Sequence, residues 1–108
     1  MKRITETINE KSSLTLHLTF YGDNGVKITP TSATYQINTL SGKSVVSATS
    51  FVPKTTTCEI VITPLINTHA EFVNNKIEER IITLTWQYGD GKQGTEEIYY
   101  ALSKLEFL

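Results

Sequence analysis

The stretch that most restricts this chain is Ile81-Ile82-Thr83-Leu84-Thr85-Trp86-Gln87-Tyr88. Ile82, Leu84, Trp86 and Tyr88 alternate with Thr83, Thr85 and Gln87, and alternation of that length fits a strand with one buried face. The Gly89-Asp90-Gly91-Lys92-Gln93-Gly94 loop follows, with three glycines that accept positive φ at no steric cost. A second strand, expected from Thr95 to Leu105, returns along the first through Ile98-Tyr99-Tyr100-Ala101-Leu102. The only tryptophan lies on this hairpin, so the core is expected to be built on it.

The rest of the chain reads the same way. From Ser13 to Tyr21, Leu14, Leu16, Leu18 and Phe20 face one way and Thr15, His17 and Thr19 the other. Gly22-Asp23-Asn24-Gly25 is a turn, and the brief extended piece Val26-Lys27-Ile28 stops at Thr29-Pro30. Ala33, Tyr35, Ile37 and Thr39 alternate with Thr34, Gln36 and Asn38. Lys43 to Val52 is β-rich but out of phase, which predicts a bulge or an edge position. Cys58-Glu59-Ile60-Val61-Ile62 alternates again. Thr63-Pro64 resembles an N-cap followed by proline at a first helical position, enough for a single turn through Asn67. Phe72 and Val73 are expected anchors in the polar connection that follows. Residues 1–11, with Ile4 and Ile8 as their apolar anchors, read as an edge strand or an arm that pairs with a neighbour.

About seven strands, with a turn signal every ten or so residues, predict one domain over residues 1–108, an all-β antiparallel sandwich. Composition agrees. Hydrophobic content is 39% and charged content 19%, and the balance is Thr and Ser, of which β-branched Thr suits the outer face of a sheet.

The same counts exclude several function classes. Net charge is −1 with no basic block, so no nucleic-acid partner is expected. No apolar stretch approaches 18 residues, so no membrane partner is expected either. Met1-Lys2-Arg3-Ile4-Thr5-Glu6 has no apolar run behind it and does not read as a signal peptide. Cys58 is the sole cysteine, which rules out an intrachain disulfide. It reads as a small buried hydrophobe, in a protein made in a reducing cytoplasm.

No catalytic or metal-binding set stands out. His17 and His69 read as surface histidines, and no ligand spacing supplies the three or four groups zinc needs. Cys58 inward and His17 outward cannot form a nucleophile–base pair. The glycines after Tyr88 join two strands and precede no helix, so they make no phosphate cradle. Glu78-Glu79 and Glu96-Glu97 are adjacent pairs whose members face opposite ways, unsuited to acid–base work. Glu79 and Arg80 are expected in modest surface pairs, with Lys104 among the partners. Asp23, Asn24 and Asp90 offer too few oxygens for calcium and fit ordinary turns. The expectation is therefore a non-enzymatic protein with no cofactor. Tyr88, Tyr99 and Tyr100 are the candidate interface residues, because tyrosine combines a broad apolar body with a polar tip. Neighbours on a strand face opposite ways, so Tyr99 and Tyr100 cannot both be core.

Two stretches carry a resemblance. Leu16 to Ile37, LHLTFYGDNGVKITPTSATYQI, resembles the opening of small immunoglobulin-like domains in bacteriophage and prophage tail, baseplate and connector proteins. Those domains share the pattern D-x-G-x-P-x-x-L-T-G-A-x-x-x-F; this chain has Pro30-Thr31-Ser32 in place of Leu-Thr-Gly. Glu79 to Tyr100, ERIITLTWQYGDGKQGTEEIYY, is similar to the closing hairpin of short phage-encoded proteins. The resemblance implies an immunoglobulin-like β-sandwich that acts as a structural component of a virion and is made in the host bacterial cytoplasm. It implies contacts with other virion proteins and with copies of itself as a homo-oligomer, with no cofactor and no active site. A head-decoration or carbohydrate-binding sandwich is the alternative, which would present an exposed aromatic platform.

Overall fold

The computed structural model describes residues 2–4, 7–68 and 77–103, and it is all-β. Its strands are β1 (Lys2–Arg3), β2 (Ile8–Asn9), β3 (Leu14–Thr19), β4 (Ser32–Thr39), β5 (Ser44–Phe51), β6 (Thr57–Ile62), β7 (Ile77–Tyr88) and β8 (Lys92–Ser103). The larger sheet runs β1-β8-β7-β4-β5, with β2 also on β8; the smaller sheet is the pair β3-β6. β1 and β2 run parallel to β8, so the larger sheet is mixed and not antiparallel throughout as expected.

The hairpin organises the larger sheet. Its register is unbroken from Ile77↔Ser103 to Tyr88↔Lys92, and β4 lies on the other side of β7. The turn is tighter than the sequence suggests. β8 begins at Lys92, leaving a three-residue loop in which Gly89 (φ 54°) and Gly91 (φ 74°) take the left-handed conformation. Gly94 is a strand residue instead. It stands opposite Trp86, whose indole lies across its backbone where any β-carbon would collide with the ring.

Core residues come from both sheets. Leu16, Leu18 and Phe20 join Ile60 and Ile62 from the smaller sheet, and Ala33, Ile37, Ile82, Leu84, Trp86, Ile98, Tyr100 and Leu102 from the larger. The registers Leu14↔Ile62, Leu16↔Ile60 and Leu18↔Cys58 place the apolar residues of β3 and β6 on one face, which meets the inner face of the larger sheet. Each buried aliphatic side chain contributes roughly 1.5–3 kcal/mol. Trp86 packs edge-on to Phe20 at 5.6 Å between ring centres, and its Nε1–H donates to the carbonyl of Tyr21 at 3.1 Å. That bond supplies the partner a buried indole needs.

The broken phase of Lys43–Val52 has its cause in the ladder. β5 pairs with β4 through register shifts between Tyr35 and Ile37 and between Ile37 and Asn38, and among the described residues it is the last strand of its sheet. The turn through Gly22–Gly25 is a short 3-10 turn with Asn24 at φ 58°. Thr63 closes its single turn by accepting the Asn67 N–H at 3.0 Å.

Candidate functional site

The structure separates the three candidate tyrosines. Tyr100 is 1% exposed and belongs to the core, which corrects its assignment to an interface. In phase with Ile98 and Leu102, it had to point inward once β8 was placed on β7. Tyr99 lies on the outer face opposite Ile81, half-buried, with its hydroxyl 3.5 Å from Glu97 Oε2. Tyr88 sits at the turn end of β7, and its hydroxyl donates to Asp23 Oδ1 at 3.1 Å.

Asp23 also accepts a hydrogen bond from Lys92 Nζ. The three residues tie the turn at 22–25 to the hairpin tip, with Asp23 and Lys92 exposed and the Tyr88 ring half-buried against the core. The Lys92 hydrogen bond, then that of Tyr88, holds the Asp23 carboxyl below its ordinary range. Asp23 in turn raises Lys92. A carboxylate whose pKa is lowered by folding adds stability that is complete above its ordinary value and fades as pH falls through the depressed one. The raised Lys92 adds stability that is complete below the ordinary lysine value and fades as pH rises past its own. Asp23→Asn is therefore expected to flatten part of the acid-side fall in thermal midpoint. Superimposable pH profiles for the two proteins would show that the tie contributes nothing.

Sequence reasoning missed a buried polar cluster at the other end of the hairpin. Arg80 is fully buried, not in a surface pair. Its Nε donates to Glu78 Oε2 at 2.7 Å, Nη1 to the carbonyl of Ile66 at 2.7 Å and Nη2 to that of Thr68 at 2.6 Å. Nη1 also reaches the Tyr100 hydroxyl at 3.3 Å, and that hydroxyl donates to Asn67 Oδ1 at 3.1 Å. Burial pushes the Tyr100 phenol up, while Arg80 opposes the shift. The signal was in the strand phase: Glu78 and Arg80 continue the inward row of Ile82, Leu84 and Trp86. The cluster fastens the 63–68 loop to the hairpin. Lys104, His69, Phe72 and Val73, also named from the sequence, lie outside the described residues.

His17 and Glu59 pair across the outer face of β3 and β6 at 3.3 Å, both exposed. Glu78 and Glu79 do face opposite ways. Cys58 points with Ile60 and Ile62 but is only half-buried, and partial burial raises its thiol pKa. Among the described residues no three His, Cys, Asp or Glu gather as metal ligands would, and no helix is long and apolar enough to cross a membrane.

What the arrangement offers is strand edge. Among the described residues β5 pairs only with β4, and β6 only with β3. Between β5 and β6 runs a groove of about 340 Å3, lined by Tyr35, Thr49, Phe51, Glu59, Ile60 and Val61. Tyr35 and Phe51 meet edge-on at 6.2 Å along it. β5 has no charged residue in its eight positions, whereas edge strands commonly carry one as protection against pairing. No protein-family model matches the chain, and neither does any curated protein or solved structure.

Proposed function

We propose that this chain is an immunoglobulin-like sandwich that serves as a non-enzymatic assembly protein of a bacteriophage or prophage particle, in its tail, baseplate or head–tail connector. The strand order supports the immunoglobulin-like part. β4, β5, β7 and β8 correspond to strands C, C′, F and G of a variable-type sheet, with β3 and β6 as B and E opposite them. The particle assignment rests on the resemblance carried by residues 16–37 and 79–100.

The observation that carries an assembly role is the uncharged β5 edge beside the groove lined by Tyr35, Phe51 and Val61 together with Glu59. Backbone groups on such an edge take up a strand from a neighbouring particle protein, and the groove receives alternate side chains of that strand. Tyr88 and Tyr99 are the remaining aromatic contacts of this kind. The protein is expected to sediment with particles released after induction of the bacterium that encodes it. Ser47→Lys, at an exposed position of β5, is expected to change folding stability by less than about 0.5 kcal/mol while removing the chain from the particle fraction. Wild-type protein confined to the soluble lysate would overturn the reading.

A further inference from the structure

The N-terminal segment passes from one sheet to the other through a short, strained hinge. β1 and β2 lie on β8 by ladders of two residues each, Lys2↔Ile98 with Arg3↔Tyr99 and Ile8↔Leu102 with Asn9↔Ser103. β3 then begins at Leu14 in the other sheet, so the connection is Glu10-Lys11-Ser12-Ser13. Within it Lys11 has φ 62°, a left-handed conformation in which its β-carbon crowds the following carbonyl. Glycine would sit there freely.

The turn is held shut from outside. Asn67, fully buried, donates its side-chain amide to the carbonyl of Ser12 at 2.7 Å and accepts the Lys11 N–H at its own carbonyl. The contacts that β1 and β2 make with β8 are of another kind. Their ladders, with the Ile4 N–H on Tyr99 O and the Glu10 N–H on Ser103 O, form equally well whichever copy of the chain supplies the segment.

A short hinge under strain favours exchange of the element it carries between identical chains. We propose that β1 and β2 are exchanged between two copies of this chain, each pair seating on the β8 edge of the other while Lys11 extends. The proposal rests on the assembly reading and names a second copy as the partner at the β8 edge. Extension relieves one left-handed lysine per chain, against the loss of the two Asn67 bonds to the hinge.

Asn9→Cys with Ser103→Cys, in a Cys58→Ala background, places a thiol pair on the parallel ladder. Oxidation of concentrated protein is expected to give covalent dimers on a non-reducing denaturing gel, declining on dilution before oxidation. Crosslinks confined within single chains at every concentration would overturn exchange, yet leave sedimentation with particles unaffected. Light scattering gives a second reading on a chain altered only at the hinge. Lys11→Gly, which makes the closed turn unstrained, is expected to weaken self-association at least about tenfold, with two hinges relaxed per dimer. Equal association of Lys11→Gly and wild type would also overturn the proposal.

Discussion

Arg80→Met should be among the most damaging single substitutions in the chain, lowering unfolding free energy by about 3–5 kcal/mol. Methionine fills much of the same space, so the loss does not come from a cavity. It comes from a buried carboxylate deprived of the guanidinium at 2.7 Å, and from the Ile66 and Thr68 carbonyls left without their donor. Urea titration followed by Trp86 fluorescence reads the change directly. Arg80→Lys should recover little, since one ammonium cannot span Glu78 and two carbonyls in different directions. Glu78→Leu combined with Arg80→Met should be less damaging than Arg80→Met alone, because it removes a buried charge that has lost its guanidinium while the orphaned carbonyls remain. A loss below about 1 kcal/mol for Arg80→Met would mean that water reaches the cluster.

Trp86→Ala is expected to cost about 3–5 kcal/mol, the range for a large aromatic deleted from a core. Its partner position gives the sharper test. Gly94→Ala adds one methyl group, yet that methyl must enter the space of the indole, and overpacking of this kind costs about 1–3 kcal/mol. With Trp86 already replaced by alanine the obstacle is gone. The double variant should then be close to Trp86→Ala alone, the departure from additivity expected of residues in contact. Additive losses would place the indole away from Gly94.

The two sites differ in how far the sequence disclosed them. The alternation of Ile82, Leu84 and Trp86 gave the strand and its inward face, and Leu14 to Phe20 and Cys58 to Ile62 did the same for the smaller sheet. Hydrophobic period is a local signal, so it survives without knowledge of partners. The inward position of Arg80 followed from the same period, but its charge argued for the surface, and nothing local announces that Glu78, Tyr100 and two loop carbonyls will surround it. In the sequence Gly94 looks like a turn residue, because glycine serves both turns and close approaches; only the register opposite Trp86 separates the two. The parallel seating of β1 and β2 on β8 joins residues nearly the whole chain apart, and no periodicity encodes such a choice of neighbour. Alternation puts Tyr99 and Tyr100 on opposite faces, but only the phase of β8 says that Tyr100 is the one inside.

The order of strands along the chain has a consequence for synthesis. Among the described residues β7 is the central partner of β4, β8 is the one partner of β1 and β2, and both follow the other strands. A ribosome delivers the N-terminal residues first, and until residue 77 emerges the described strands can pair only as β3 with β6 and β4 with β5. Leu16, Phe20 and Ile37 meanwhile wait for the Ile82, Leu84 and Trp86 side that will cover them. The nascent chain is thus at its most adhesive just before the hairpin emerges, and the hairpin that closes the core also ends that exposure.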